Sequence, residues 1–228
     1  MTLRIKICGI TNINDALEAV NAGAEALGFM LYEKSKRFVR PETVKEIIRE
    51  LPPFVSCVGV FVNESRENIL SVKESCQLDT IQLHGDESPT FCQEIPGKVI
   101  KAFQLRTPET LNTVATYQTN AWLLDSYSPA ARGGTGDSFN WDWVKAASPL
   151  DRPVIIAGGL TPDNAADCVL ATRPYGLDVS SGVEISPGIK CAKKMTDFVT
   201  AAREAASRFN NDQRTELLPQ GTPLADRS

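Results

Sequence analysis

Short runs rich in branched and aromatic residues alternate with helical stretches eight times along the chain, and this alternation restricts the fold more than any other feature. Strand patterns fall at residues 3–7, 26–32, 55–62, 79–83, 99–103, 121–124, 153–157 and 176–179. Asn12 caps the first helix, whose apolar face includes Ile13, Ala16, Leu17 and Val20, and Gly23 ends it. Later helical patterns span residues 41–51, 64–76, 88–95, 108–117, 141–147, 161–171 and 190–208. The seventh is expected to open with Thr161 as N-cap, Pro162 at N1 and Asp163 in the first turn.

Eight consecutive strand-helix units in 228 residues, with no linker between them, predict one α/β domain closed as a (β/α)8 TIM barrel over residues 1–209. An open doubly wound sheet shows the same alternation, but eight units without a second core favour closure. Residues 210–228 are rich in Asn, Asp, Gln, Pro, Gly and Thr, lack apolar periodicity, and are expected to form a disordered tail.

A net charge of −4 opposes general nucleic-acid binding, which needs a concentrated basic face, yet leaves room for a small anionic substrate. No apolar run is long enough to span a bilayer, and the amino-terminal residues read as a strand rather than a signal segment, so a cytoplasmic protein is expected. Six cysteines without a C-x-x-C pair imply free thiols in a reducing compartment. With one histidine and scattered cysteines, a metal site has little to be built from. A monomer is the default.

Active sites of such barrels collect at the carboxyl ends of strands and in the loops that follow. Cys8, Arg37, His84, Asp125, Gly158, Gly159, Ser181 and Gly182 all lie there. Cys8 and Asp125 are suited to moving protons. The turns Ala157-Gly158-Gly159-Leu160 and Ser180-Ser181-Gly182-Val183-Glu184 follow strands seven and eight, where barrels often bind phosphate. Glycine lets backbone N–H groups approach an anion, although tight turns also need glycine for its own sake.

Lys6-Ile7-Cys8-Gly9-Ile10-Thr11, Gln82-Leu83-His84-Gly85, Leu124-Asp125, Gly133-Gly134-Thr135-Gly136, Ala157-Gly158-Gly159-Leu160 and Asp178-Val179-Ser180-Ser181-Gly182-Val183-Glu184, taken in order, resemble the phosphoribosylanthranilate isomerase family over residues 3–205. The resemblance implies an Amadori rearrangement in tryptophan biosynthesis. It converts N-(5-phosphoribosyl)anthranilate to 1-(2-carboxyphenylamino)-1-deoxy-D-ribulose 5-phosphate. It implies Cys8 as general base, Asp125 as general acid and Arg37 as the group that holds the anthranilate carboxylate. It calls for no metal, nucleotide or redox cofactor.

Gln82 shares the strand face of His84 and either contacts the sugar or fills the barrel's upper layer. His84 either contacts substrate or bonds a backbone carbonyl, and Asp178 is a second candidate for a sugar hydroxyl. The 133–136 loop either covers the ligand or is a plain connection. Two positions depart from the family pattern: Lys36 stands where a proline commonly precedes the arginine, and Asn140, read as a helix cap, stands where an aspartate is frequent. Cys57, Cys76, Cys92 and Cys168 read as buried hydrophobes.

The proposed roles require Asp125 to hold a proton near neutral pH and Cys8 to lose one readily, so the thiol is expected to titrate below its ordinary range. On strand one, Arg4, Lys6 and Cys8 share a face, and Asp178 lies on the adjacent strand eight if the barrel closes. Lys6 is therefore expected inside the barrel, paired with Asp178 and favouring the Cys8 thiolate. A purely structural pair is the simpler alternative. Indole-glycerol phosphate synthase, a related phosphosugar barrel, would call for a lysine and glutamate pair instead, and a phosphate-binding barrel without turnover would need neither proton-transfer group.

Overall fold

In a computed structural model, residues 3–125 and 152–216 are described. Eight parallel strands, β1 (Arg4–Cys8), β2 (Ala26–Met30), β3 (Ser56–Phe61), β4 (Thr80–Leu83), β5 (Lys98–Gln104), β6 (Ala121–Asp125), β7 (Val154–Ala157) and β8 (Gly176–Val179), pair in sequence order and close into a barrel. The closing pair is β1 with β8, in a register that sets Lys6 beside Asp178. Around the strands run α1 (Ile13–Asn21), α2 (Pro41–Glu50), α3 (Arg66–Cys76), α4 (Pro89–Glu94), α5 (Thr110–Val114), α6 (Ala165–Thr172) and α7 (Ala192–Glu216). A small antiparallel pair, β9 (Glu184–Ser186) and β10 (Ile189–Lys190), lies between β8 and α7. The (β/α)8 reading holds.

Period-two alternation sorts the apolar residues into two cores. The larger one fills the space between the outer strand faces and the helices, with Ile7, Phe29 and Leu83 meeting Ala16, Ile47 and Phe198. The smaller lies inside the barrel and comes from β5, β6 and β7 alone: Ile100, Ala102, Ala121, Leu123, Ile155 and Ala157. On the facing arc the lumen holds Lys6, Gln82 and Asp178, all buried. Two chemically different walls therefore line one barrel.

Several helix ends follow from their capping residues. Asn12 accepts the Asp15 N–H at 2.9 Å, as expected of it, and Pro41 occupies the first turn of α2. Gly23, at φ +103°, carries the chain out of α1 through a conformation that glycine adopts without strain. At α6 the expectation fails. The Asn164 Oδ1 accepts the Thr161 N–H at 2.8 Å, which builds a turn over the residues expected to be helical and delays the helix to Ala165. The last helix also exceeds its expected end and runs to Glu216, so residues 210–216 are helical rather than part of a disordered tail. The 133–136 loop, Asn140 and the 141–147 helix lie outside the described residues, as do residues 217–228.

Lys101 interrupts an otherwise apolar segment of β5 and points outward, not into the lumen. Its ammonium is buried 3.1 Å from Glu87 and donates to the carbonyls of Gly85 (2.7 Å) and Ala102 (3.0 Å). It also stands 5.3 Å from the centroid of the Phe103 ring. Glu87 in turn accepts the N–H groups of Asn63 (2.9 Å) and Gly85 (3.0 Å), so this pair ties down the turn that follows His84. Lys101→Met would leave the Glu87 carboxylate buried without its cation. The expected loss is about 3–5 kcal/mol of stability, measured by urea unfolding.

Candidate active site

Cys8 ends β1 and is 7% exposed. Lys6 lies two residues earlier on the same inward face, and its ammonium is 2.9 Å from Asp178 Oδ1. The contact is a close charge pair without good hydrogen-bond angles. Burial works to lower the Lys6 ammonium, but Asp178 and then Cys8 outweigh it and hold the lysine charged. The expected pair is therefore present, beneath the thiol.

The thiol itself does not titrate in the expected direction. Burial pushes Cys8 upward, and the pull of Lys6, with a smaller one from Lys190, does not overcome it. Lys6 acts with the predicted sign, while the net shift has the opposite one. Cys57 and Cys168, buried as expected of them, are pushed up to about 12 by that burial. What distinguishes Cys8 is its pair of neighbouring cations.

Opposite Cys8 in the register stands Gly28. A Cβ there would lie 2.7 Å from Cys8 Sγ and 3.1 Å from Lys6 Cε, so the bare backbone of β2 makes the space that both side chains use. A glycine within an apolar strand was the signal for this close approach, and sequence reasoning passed over it.

Asp125 closes β6 and faces His84, whose Nε2 is 3.4 Å from Asp125 Oδ2. Gln82 Nε2 is 3.0 Å from the other ring nitrogen, Nδ1. With the amide donating, the neutral ring carries its proton on Nε2, toward the carboxylate. His84 therefore binds two side chains and not the backbone carbonyl that was its plainer reading. Gln82 belongs to the same chain of contacts.

Arg37 is held more firmly than a solvated basic loop would hold it. Its Nε and Nη2 donate to Glu184 Oε1 and Oε2 at 2.8 and 2.7 Å, a bidentate pair that raises the arginine further. Its Cδ packs over Gly9, where a Cβ would come within 2.6 Å. Burial works against the Glu184 charge, but Arg37 and Lys190 outweigh it and hold the carboxyl below its usual range. Lys36 is exposed. Glu184 was quoted in a motif without a role, and nothing local marks it as the partner of a residue 147 positions away.

The two glycine turns meet. Gly158 and Gly159 have φ of +86° and +61°, and a Cβ on Gly182 would collide with the Leu160 carbonyl, so the β8 turn packs backbone to backbone on the β7 turn. Asn164 Nδ2 donates to the Gly159 carbonyl at 2.9 Å and braces the first turn from the side. Ser181 and Gly182 lie in a 3-10 turn, Ser181–Val183, which begins where β8 ends.

The sequence pattern of the N-(5'-phosphoribosyl)anthranilate (PRA) isomerase family matches residues 5–201. The chain is 49% identical over 203 residues to the N-(5'-phosphoribosyl)anthranilate isomerase of Trichlorobacter lovleyi, covering 89% of this chain and 99% of that one. Against the enzyme of the same name from Citrifermentans bemidjiense the identity is 50%, with coverages of 89% and 98%. Among solved structures, phosphoribosyl anthranilate isomerase from Thermotoga maritima superimposes with a TM-score of 0.85 at 41% identity, covering 89% of this chain and all of that one (100%). A second structure of phosphoribosyl anthranilate isomerase holds reduced 1-(o-carboxyphenylamino)-1-deoxyribulose 5-phosphate, and this chain matches it with a TM-score of 0.82 at 40% identity, with coverages of 89% and 100%.

Because the Lys6 charge opposes the effect of burial on Cys8, Lys6→Met should move the pH midpoint of Cys8 alkylation upward, by about one unit or more. The Cys8 peptide, followed by mass spectrometry across pH, reads this directly. An unchanged midpoint would leave Lys6 with a structural role only.

Proposed function

The chain belongs to the N-(5'-phosphoribosyl)anthranilate isomerase family, and from that premise we propose that Cys8 and Asp125 are the general base and general acid of its reaction. It is an isomerase of tryptophan biosynthesis, catalysing the Amadori rearrangement of N-(5'-phosphoribosyl)anthranilate. Asp125 gives a proton to the ring oxygen as the C1–O bond breaks, and the anthranilate nitrogen lone pair forms the Schiff base. Cys8 thiolate takes the proton from C2, the electrons of that C–H bond form the C1=C2 double bond, and the C1=N π electrons return to nitrogen to give the enolamine. The enol oxygen then loses its proton as C1 gains one, and the ketone results.

The observation that carries this assignment is the seating of Cys8 over the Lys6 ammonium, since a base that must ionise in a buried place needs a fixed cation near it. Arg37, gripped on one edge by Glu184, directs its remaining donors to the anthranilate carboxylate. The paired turns bearing Gly158, Gly159, Ser181 and Gly182 hold the phosphate by backbone N–H groups. Gln82, His84 and Asp178 contact the ribose, and His84 also orients Asp125. The enzyme works as a monomer in the cytoplasm, without nucleic-acid or membrane partners. The net charge of −4 argues against a nucleic-acid partner. Among the described residues no helix is long and apolar enough to cross a membrane.

Cys8→Ser and Asp125→Asn are each expected to lower kcat by on the order of 10²- to 10⁴-fold with smaller changes in KM, followed through the loss of substrate fluorescence. Full activity in either variant removes that residue from its role. Gly28→Ala should displace the thiol and lower kcat/KM by about tenfold or more, because a Cβ cannot share the space of Cys8 Sγ.

A further inference from the structure

Lys190 ends the two-residue strand β10, and its side chain is fully enclosed, at 0% exposure. Its ammonium makes three contacts: the Cys8 carbonyl at 2.6 Å, the Ser180 carbonyl at 3.2 Å and Glu184 Oε1 at 2.9 Å. An ammonium has three donors, and all three are used. Each acceptor belongs to a different part of the site. Cys8 carries the thiol, Ser180 leads into the turn of Ser181 and Gly182, and Glu184 holds the Arg37 fork.

We propose that Lys190 is a positioning residue that sets the strand end of the base, the β8 turn and, through Glu184, the carboxylate-binding arginine from one buried cation. The hairpin that carries it is itself pinned. The Lys190 N–H donates to Asp15 Oδ2 at 2.7 Å, and Thr11 Oγ1 donates to the Gly188 carbonyl at 2.5 Å. The ammonium is thus a fixed point and not the tip of a mobile chain. Every donor of a cation so far from water that goes unmet costs stability, which makes its three contacts geometrically demanding.

The same charge acts on the thiol. The groups that face Cys8 are Lys6 on its own strand, Asp178 on β8, Lys190 on β10 and Arg37 beyond β2, and Lys190 favours the thiolate as Lys6 does. Lys190 therefore holds Cys8 by its carbonyl and supports its charge together. A mere staple of the hairpin would do neither.

The proposal rests on the assignment of Cys8 and Arg37, and its test separates the two. In the full-length protein, Lys190→Met and Lys190→Arg are compared with wild type by two measurements: the pH midpoint of Cys8 alkylation by iodoacetamide, read on the Cys8 peptide, and steady-state kcat and KM. Lys190→Met is expected to raise the midpoint by about one unit and KM by about tenfold. Lys190→Arg keeps the charge, so the midpoint should stay near that of wild type. A planar guanidinium cannot meet the same three acceptors, so KM should still rise several-fold.

Wild-type midpoint and KM in Lys190→Met, with only a lower melting temperature, would overturn the proposal. If that variant does not fold, Lys190→Arg decides: an unchanged KM overturns the coupling to Arg37, and a raised KM with a retained midpoint supports it. Alkylation reports the thiol whether or not it is the base. Full activity in Cys8→Ser would thus defeat the base assignment while leaving the Lys190 test intact.

Discussion

An ammonium group taken out of water must meet acceptors at fixed positions, or the structure around it gives way. Among the described residues, three buried lysines are each met by a carboxylate, and each contact lies in a different part of the molecule. Lys6 finds Asp178 inside the lumen, Lys101 finds Glu87 and two carbonyls between barrel and helices, and Lys190 finds Glu184 with the ends of β1 and β8. The turn after His84 and the ends of β1 and β8 are among the segments these cations contact.

That arrangement explains how a loop-built site becomes rigid. Glu184 is shared between Arg37 and Lys190, so the orientation of a part-buried guanidinium is referred back to a fully enclosed charge. His84 is referred back in the same way: its turn is anchored by Glu87 and Lys101, and its ring by Gln82. Arg37 and His84 thus each have a buried partner behind them. The apolar wall of β5 to β7 completes the lumen without competing for those charges.

Much of this was visible in the chain, and the exceptions share a cause. Strand parity places Lys6 on the inner face and closure brings β8 beside it, while the register that sets Lys6 against Asp178 is read from the structure. The glycine turns after β7 and β8 are local, and local signals survive in a sequence. Glu184 and Lys190 are not local: one binds Arg37 across 147 positions and the other binds Cys8 across 182. The α6 start was missed because Asn164 bonds backward to Thr161 and Gly159, outcompeting a standard N-cap. The direction of the Cys8 shift depends on how burial compares with two cations, and no residue pattern encodes that balance.

The seam where β1 meets β8 has a consequence in time. Cys8 is synthesised well ahead of Asp178, Glu184 and Lys190. The nucleating contacts of a barrel are mostly between neighbouring units, but this seam joins residues of the greatest sequence separation and must close late. Until it does, the thiol has Lys6 beside it but neither its carboxylate nor its second cation. A nascent or truncated chain would then carry the strand of the candidate base in an environment unlike the finished one. The chemistry is assembled in the last stretch of the barrel to be made.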